Sequence, residues 1–244
     1  MQTDDVTPQC GARLDIEGTH NFREVAPGIL RPGLLYRSDA LDRLTDRGRD
    51  ALAELGIRLV IDLRSDPDLR IGGPDLLAGT GARYVRHEIL SGGVNLDPLA
   101  LDLRTVYRHI LVGHAREVAA SIRSIAGADG PAVVHCTAGK DRTGLVVALT
   151  LAALGIDYDT LAADYVATTA NLAGAWSDAM FGKLQEYGVE ITDALVEVMA
   201  QAPEPVLRHA FDWLEEEYGG VAPYLLGLGI DESVVAALAA RLLP

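Results

Sequence analysis

PAVVHCTAGKDRTGLVVALTLAALG (131–155) is the stretch on which the architecture of this 244-residue chain turns. Its opening run, Ala132 to Cys136, is apolar and rich in Val, the pattern of a strand buried on both faces. From Arg142 to Leu154 the apolar residues recur with helical spacing, and Gly155 supplies a left-handed stop. A buried strand, a tight Gly-containing loop and a helix therefore follow one another directly. Upstream, IRLVIDLR (57–64) repeats the buried-strand pattern, and LLYR (34–37), YVRHEI (84–89) and RLDI (13–16) have strand character. Thr45 can cap a helix running to about Leu55, with Gly56 as its stop. The stretches 65–75 and 91–98, rich in Asp, Pro and Gly, read as loops, and 98–126 as helical with a break near Gly113. Beyond 155 the pattern predicts helices over 158–171, 173–187, 191–200, 204–218 and 231–242. Strands alternating with helices predict an α/β fold, with a central, mostly parallel sheet flanked by helices. The expected organisation is a flexible segment 1–12 and a single domain 13–244, in which 158–200 could cover the site as a lid.

Composition narrows the function. Half the residues are apolar, as in a globular chain with a real core. The net charge of −14 argues against a nucleic-acid binder and against attraction to anionic membranes. No apolar run reaches the roughly 18–20 residues of a membrane span, and the first ten residues lack a secretory pattern. A reducing cytoplasm is the expected location. The two cysteines, Cys10 and Cys136, make no disulfide framework.

The chemistry lies in the loop of the quoted stretch. Cys136 stands at the carboxyl end of a strand, where open α/β sheets bind ligands. The five residues between Cys136 and Arg142 can wrap their amides around one anion, so Thr137, Ala138, Gly139, Lys140, Asp141 and Arg142 form a candidate phosphate cradle. The helix that follows aims its positive end at the same place, and Arg142 adds a bidentate fork. Such a field lowers a thiol pKa, and a thiolate facing a bound phosphate is placed for in-line attack. Lys140 adds a cation for a substrate with more than one phosphate. Arg64 is either a second anion contact or an ion-pair partner.

Rival readings fit less well. Gly139-Lys140 is not a Walker loop, because Val134 and Asp141 stand where that loop has Gly and Ser/Thr. Asp66-Pro67-Asp68 lies beyond its strand end and is followed by no Thr, unlike a phosphate-accepting aspartate motif. The six histidines are scattered, which does not suit a metal phosphatase. No metal and no cofactor is expected.

The loop HCTAGKDRTG (135–144) resembles the Cys-x5-Arg signature of cysteine-based tyrosine phosphatases, and in its longer form the bacterial tyrosine/lipid phosphatases of the mycobacterial PtpB type. THNFREV (19–25), LLYRSDAL (34–41), VIDLRS (60–65) and EEEYGGVAPYLLGLGI (215–230) resemble further motifs of that family, so the likeness spans about 13–242. The resemblance implies a tyrosine-phosphatase-like sheet with a helical lid and a helical C-terminal part. It implies hydrolysis of phosphotyrosine, with phosphoserine/threonine and phosphoinositides as further substrates, through a thiophosphate enzyme intermediate. It also implies that His135 orders the loop, that Thr143 serves the thiolate, and that an aspartate protonates the leaving group. For that acid the order is Asp141, then Asp62, then Asp66. Partners would be phosphorylated proteins, lipids or small molecules. A small-metabolite phosphatase of the same mechanism is the alternative, followed by a non-catalytic phosphate-binding module. The oligomeric state stays open.

Overall fold

A computed structural model describes residues 11–91, 102–186 and 188–244. The expected flexible start up to residue 10, the onset of the helix expected from 98 and most of the 91–98 loop lie outside the described residues. Among the described residues, five strands form one sheet: β1 (Arg23–Glu24), β2 (Leu35–Ser38), β3 (Leu59–Asp62), β4 (Arg83–Arg86) and β5 (Ala132–His135). Their spatial order is β1-β2-β5-β3-β4. All neighbours run parallel except β1, which pairs antiparallel with β2. The register sets Asp62 and Ser38 on either side of His135, so all three lie together at the carboxyl edge.

Side-chain alternation divides the core between the two sheet faces. Leu59, Ile61, Ala132 and Val134 enter the larger apolar cluster. Val60, Val133 and Tyr36 enter a smaller one with Leu52 of helix α1 (Asp46–Glu54), which Thr45 caps as expected. On the larger face α3 (Leu103–Gly113), α4 (Ala115–Ala126) and α5 (Asp141–Ala153) pack together. Helix α5 is central and buried all round from Arg142 to Leu151, which is why its sequence is apolar without a polar stripe. Around it stand α6 (Tyr158–Leu172), α9 (Glu204–Tyr218), α10 (Val221–Gly227) and α11 (Glu232–Leu242), with α7 (Ala175–Glu186) and α8 (Asp193–Ala200) beside the carboxyl edge.

Two local expectations are corrected, and one gap between expected helices is filled. RLDI (13–16) forms no strand; it is irregular, and Leu14 N–H donates to the Phe22 carbonyl at 2.9 Å. The antiparallel edge is the two-residue β1 instead. The supposed loop 65–75 contains helix α2 (Asp66–Gly72), because Ser65 and Asp68 close a capping box and Pro67 sits in the first turn. Between 218 and 231 a short helix, α10, intervenes, started after Gly220 at φ +117°.

Candidate active site

The loop between β5 and α5 is held from its outer side. The Ala40 amide donates to the Thr137 carbonyl at 3.1 Å. Asn21 Nδ2 donates to the Ala138 carbonyl at 2.9 Å, and Arg37 Nη2 to the Gly139 carbonyl at 2.8 Å. With its carbonyls turned outward to these donors, the loop leaves its amides for an anion. Gly139 has φ +67°, and a Cβ there would lie 2.2 Å from the Ser38 carbonyl oxygen, so only glycine lets the loop seat against β2. Arg37 is fully buried and paired with Asp164, which also lies 4.0 Å from the buried Arg23. The NFRE and LYRS motifs therefore supply the loop's outer braces.

Cys136 is almost fully buried in the floor of this loop. Burial pushes its thiol up, but the Arg142 guanidinium and the hydroxyl and amide of Thr143 outweigh that, and the net pKa is lowered. Thr143 Oγ1 is buried without a hydrogen bond of ordinary geometry among the described residues, so the neighbouring sulfur is the acceptor left to it. His135, one residue earlier, is fully buried, and its Nε2 lies 2.8 Å from Asp75 Oδ2. Burial alone would lower its pKa; the Asp75 and Asp62 carboxylates reverse this and hold it up at about 9, so the ring is an imidazolium.

Arg142 is anchored by Asp68, which the sequence reading weighed only within a rival aspartate motif. Its Nη1 lies 2.6 Å from Asp68 Oδ2, and the Thr137 hydroxyl donates to Asp68 Oδ1 at 2.9 Å. Burial favours the neutral acid, but Arg142 and the Ser65 donors hold the Asp68 carboxyl far below the usual carboxylate range. The available signal was the Ser65-x-x-Asp68 capping box directly after a strand end.

The other candidates separate by geometry. Asp62 is fully buried, bonded by Arg64 Nη2 at 2.9 Å, the Arg64 amide at 2.8 Å and the Tyr84 hydroxyl at 2.8 Å. Despite its burial, which favours the neutral acid, His135 and Arg64 hold its pKa down. Arg64 is the ion-pair partner of Asp62, Asp75 and Asp42 rather than a free cation. The donors of Asp62, Asp75 and His135 lie within 4.8 Å of one another, a spacing a metal could use. The Arg64 guanidinium and the His135 imidazolium, however, already balance these carboxylates. Asp66 is exposed and paired with Arg86 at 2.6 Å, outward from the loop. Asp141, in the first turn of α5, remains a quarter exposed and accepts from the Tyr107 hydroxyl at 2.9 Å. Lys140 is fully buried; its ammonium donates to the Val198 carbonyl in α8 and lies 3.4 Å from Asp141 Oδ1.

Beside the loop lies a cavity of about 390 Å³. Thr137 and Asp68 line it, as do Trp176, Met180 and Leu184 of α7 and Met199 of α8. Trp176 also packs with Leu172 and Ala200 in a small apolar cluster that touches Ala138 of the loop.

Residues 14–244 match the model of a tyrosine phosphatase family. The chain belongs to the tyrosine phosphatase family. It is similar to the triple specificity protein phosphatase PtpB of Mycobacterium tuberculosis, with 30% identity over 91% of this chain and 95% of that protein. It is also similar to a tyrosine-protein phosphatase of Nostoc commune, with 32% identity over 84% of this chain and 73% of that protein. The chain is thereby a protein-tyrosine phosphatase, a phosphoric monoester hydrolase. No single helix among the described residues is long and apolar enough to cross a membrane.

Proposed function

We propose that the chain hydrolyses phosphotyrosine through Cys136, with Arg142 and the amides of 137–142 as phosphate cradle and Asp141 as proton donor. The observation that carries this reading is a buried Cys136 at the floor of a loop whose carbonyls are held outward by Asn21 and Arg37, six residues before an arginine at the start of α5. The Cys136 thiolate attacks phosphorus as the ester P–O bond breaks, and the leaving oxygen takes the proton of Asp141. Water then attacks phosphorus as the S–P bond breaks, gives a proton to Asp141, and releases inorganic phosphate and the Cys136 thiolate. Charge spreading over the equatorial oxygens meets Arg142 and the amides. Of the three aspartates the sequence offers as acid, Asp62 is held ionised by His135 and Arg64 and Asp66 is exposed and paired with Arg86, which favours Asp141; Asp68 is held ionised by Arg142.

The apolar wall from α7 and α8 suits an aryl phosphate, with room beside the ring for a neighbouring apolar group. We assign the covering role to α7 and α8. The first part of the expected lid, α6, is instead a layer of the core, with Leu161, Tyr165 and Leu172 buried. The relative's triple specificity supports extending the substrates to phosphoserine/threonine and phosphoinositides. A nucleophile that must stay a thiolate supports a reducing, cytoplasmic setting. The test is a panel of phosphotyrosine, phosphoserine, phosphoinositide and nucleotide substrates, with and without EDTA, beside Cys136→Ser. Phosphotyrosine should be turned over fastest, insensitive to EDTA, and not at all by Cys136→Ser. Preference for nucleotides would favour the metabolite reading, and unchanged activity in Cys136→Ser would overturn the mechanism.

A further inference from the structure

Behind Asp141 two tyrosines are stacked into the protein. Tyr107 of α3 and Tyr165 of α6 are both fully buried, with their rings edge to face at 6.4 Å. The Tyr107 hydroxyl lies 2.9 Å from Asp141 Oδ1 and 2.7 Å from the Tyr165 hydroxyl. A phenol has one hydrogen to donate. If Tyr107 gives its hydrogen to the carboxylate, Tyr165 must donate to Tyr107, and the chain has a single direction, Tyr165 to Tyr107 to Asp141. Burial and the Asp141 charge hold both phenols well above their ordinary pKa, although the bond to Tyr107 lowers that of Tyr165, so both remain donors throughout the working range.

The consequence falls on the two oxygens of Asp141. Oδ1 is held by Tyr107 and flanked by the Lys140 ammonium at 3.4 Å. Oδ2 has no hydrogen-bond partner among the described residues. Fixing one oxygen from behind sets the rotation of the carboxyl group and leaves the other, without a partner among the described residues, free to carry a proton. A mobile carboxyl would lose orientation, which is costly for proton transfer.

We propose that Tyr107, backed by Tyr165, is a positioning residue that orients Asp141 for proton delivery to the leaving oxygen. The inference rests on Asp141 being the acid. Its test compares kcat/KM for phenyl phosphate, whose leaving group needs the proton, with 2,4-dinitrophenyl phosphate, whose leaving group does not. Tyr107→Phe keeps the ring and removes only the hydroxyl. It should lose about tenfold on phenyl phosphate and less than twofold on the dinitrophenyl ester. Tyr165→Phe, acting through Tyr107, should show the same selectivity at a smaller size, and it serves if Tyr107→Phe is poorly folded. Equal losses on both esters, or none on either, would overturn the proposal. Asp141→Asn separates the two levels. A selective loss there without one in the tyrosine variants defeats this inference alone, whereas a non-selective loss in Asp141→Asn defeats the acid assignment and this inference together.

Discussion

Asp68 Oδ2 lies 2.6 Å from Arg142 Nη1, so the fork proposed to receive phosphate is held in place by a carboxylate from a different helix. The pair is mostly buried, and Arg142 has few other protein contacts: the Ile89 carbonyl at 3.4 Å and the Thr137 hydroxyl at 3.1 Å. Removing Asp68 would relieve some repulsion of the incoming dianion. It would also leave the guanidinium without the contact that sets its angle, and for a bidentate clamp the angle matters more.

Asp68→Ala should therefore lower kcat/KM on aryl phosphates by about 10–100-fold, the scale of one charge-assisted hydrogen bond. Vanadate affinity should fall in parallel, since it reads the same fork. A variant with wild-type kcat/KM would show that Arg142 orients itself and that Asp68 only caps α2.

The thiol gives a second expectation. Its pKa is lowered against burial by Arg142 and by the hydroxyl and amide of Thr143. Thr143→Ala removes the hydroxyl and keeps the amide. The thiolate loses a donor, its pKa rises, and the acid limb of activity moves to higher pH. One hydrogen bond to a charged group corresponds to about one pH unit. The pH profile of Cys136 alkylation by iodoacetamide reads this directly. An unmoved profile would mean that Arg142 alone sustains the thiolate.

His135 links the same neighbourhood to stability. Its folded pKa, about 9, lies above the unfolded value of about 6.5. A raised pKa stabilises the fold fully below the unfolded value, and this contribution fades as pH rises through the folded one. The Asp62 pKa is lowered, so its contribution is lost in the opposite direction, as pH falls. Thermal stability should accordingly decline between pH 7 and 9.5, by an amount on the order of 3 kcal/mol if the imidazolium acts alone. Asp75→Asn should flatten that decline. Melting temperatures constant across this range would show that the ring is neutral in the fold.

Lys140 carries a different expectation now that its ammonium is seen bonded to the Val198 carbonyl. It ties the loop to α8, so Lys140→Met should reduce turnover of mono- and bisphosphate substrates alike. A loss at least tenfold larger on a phosphoinositide bisphosphate than on p-nitrophenyl phosphate would return Lys140 to the role of second-phosphate contact.

The strands and the loop of the proposed nucleophile were legible because their signals are local: a Val-rich run, a Cys and an Arg with five residues between them, a helix that follows. The braces were not, because each is long-range. Asn21 and Arg37 reach the 138–139 carbonyls across more than a hundred residues, and Tyr107 meets Asp141 from another helix. Asp62 and Arg64 looked available at a strand end, yet the register sets Asp62 beside His135 and a closed ion cluster consumes both. Asp68 was hidden by reading 65–75 through its Pro and Gly rather than through its capping box. RLDI failed as a strand because alternation alone does not supply a neighbour to pair with.

Two glycines of the loop segment give the sharpest contrast. At Gly139 the backbone has φ +67°, and an added Cβ would lie 2.2 Å from backbone, the Ser38 carbonyl oxygen. Neither conformation nor space allows Gly139→Ala, so the cradle itself must distort, and both vanadate binding and activity on every ester should collapse. Gly144 lies in α5 with ordinary helical backbone, and there an added Cβ would lie 2.8 Å from the Tyr165 ring. The ring must retreat, drawing its hydroxyl from Tyr107 while the cradle stays intact. Gly144→Ala should thus keep vanadate affinity within about fivefold, one kcal/mol or so on the binding scale. It should also lose activity selectively on phenyl phosphate over the dinitrophenyl ester. If Gly144→Ala instead fails on both esters and on vanadate together, the Tyr165 contact supports the loop as a whole rather than the proton donor behind it.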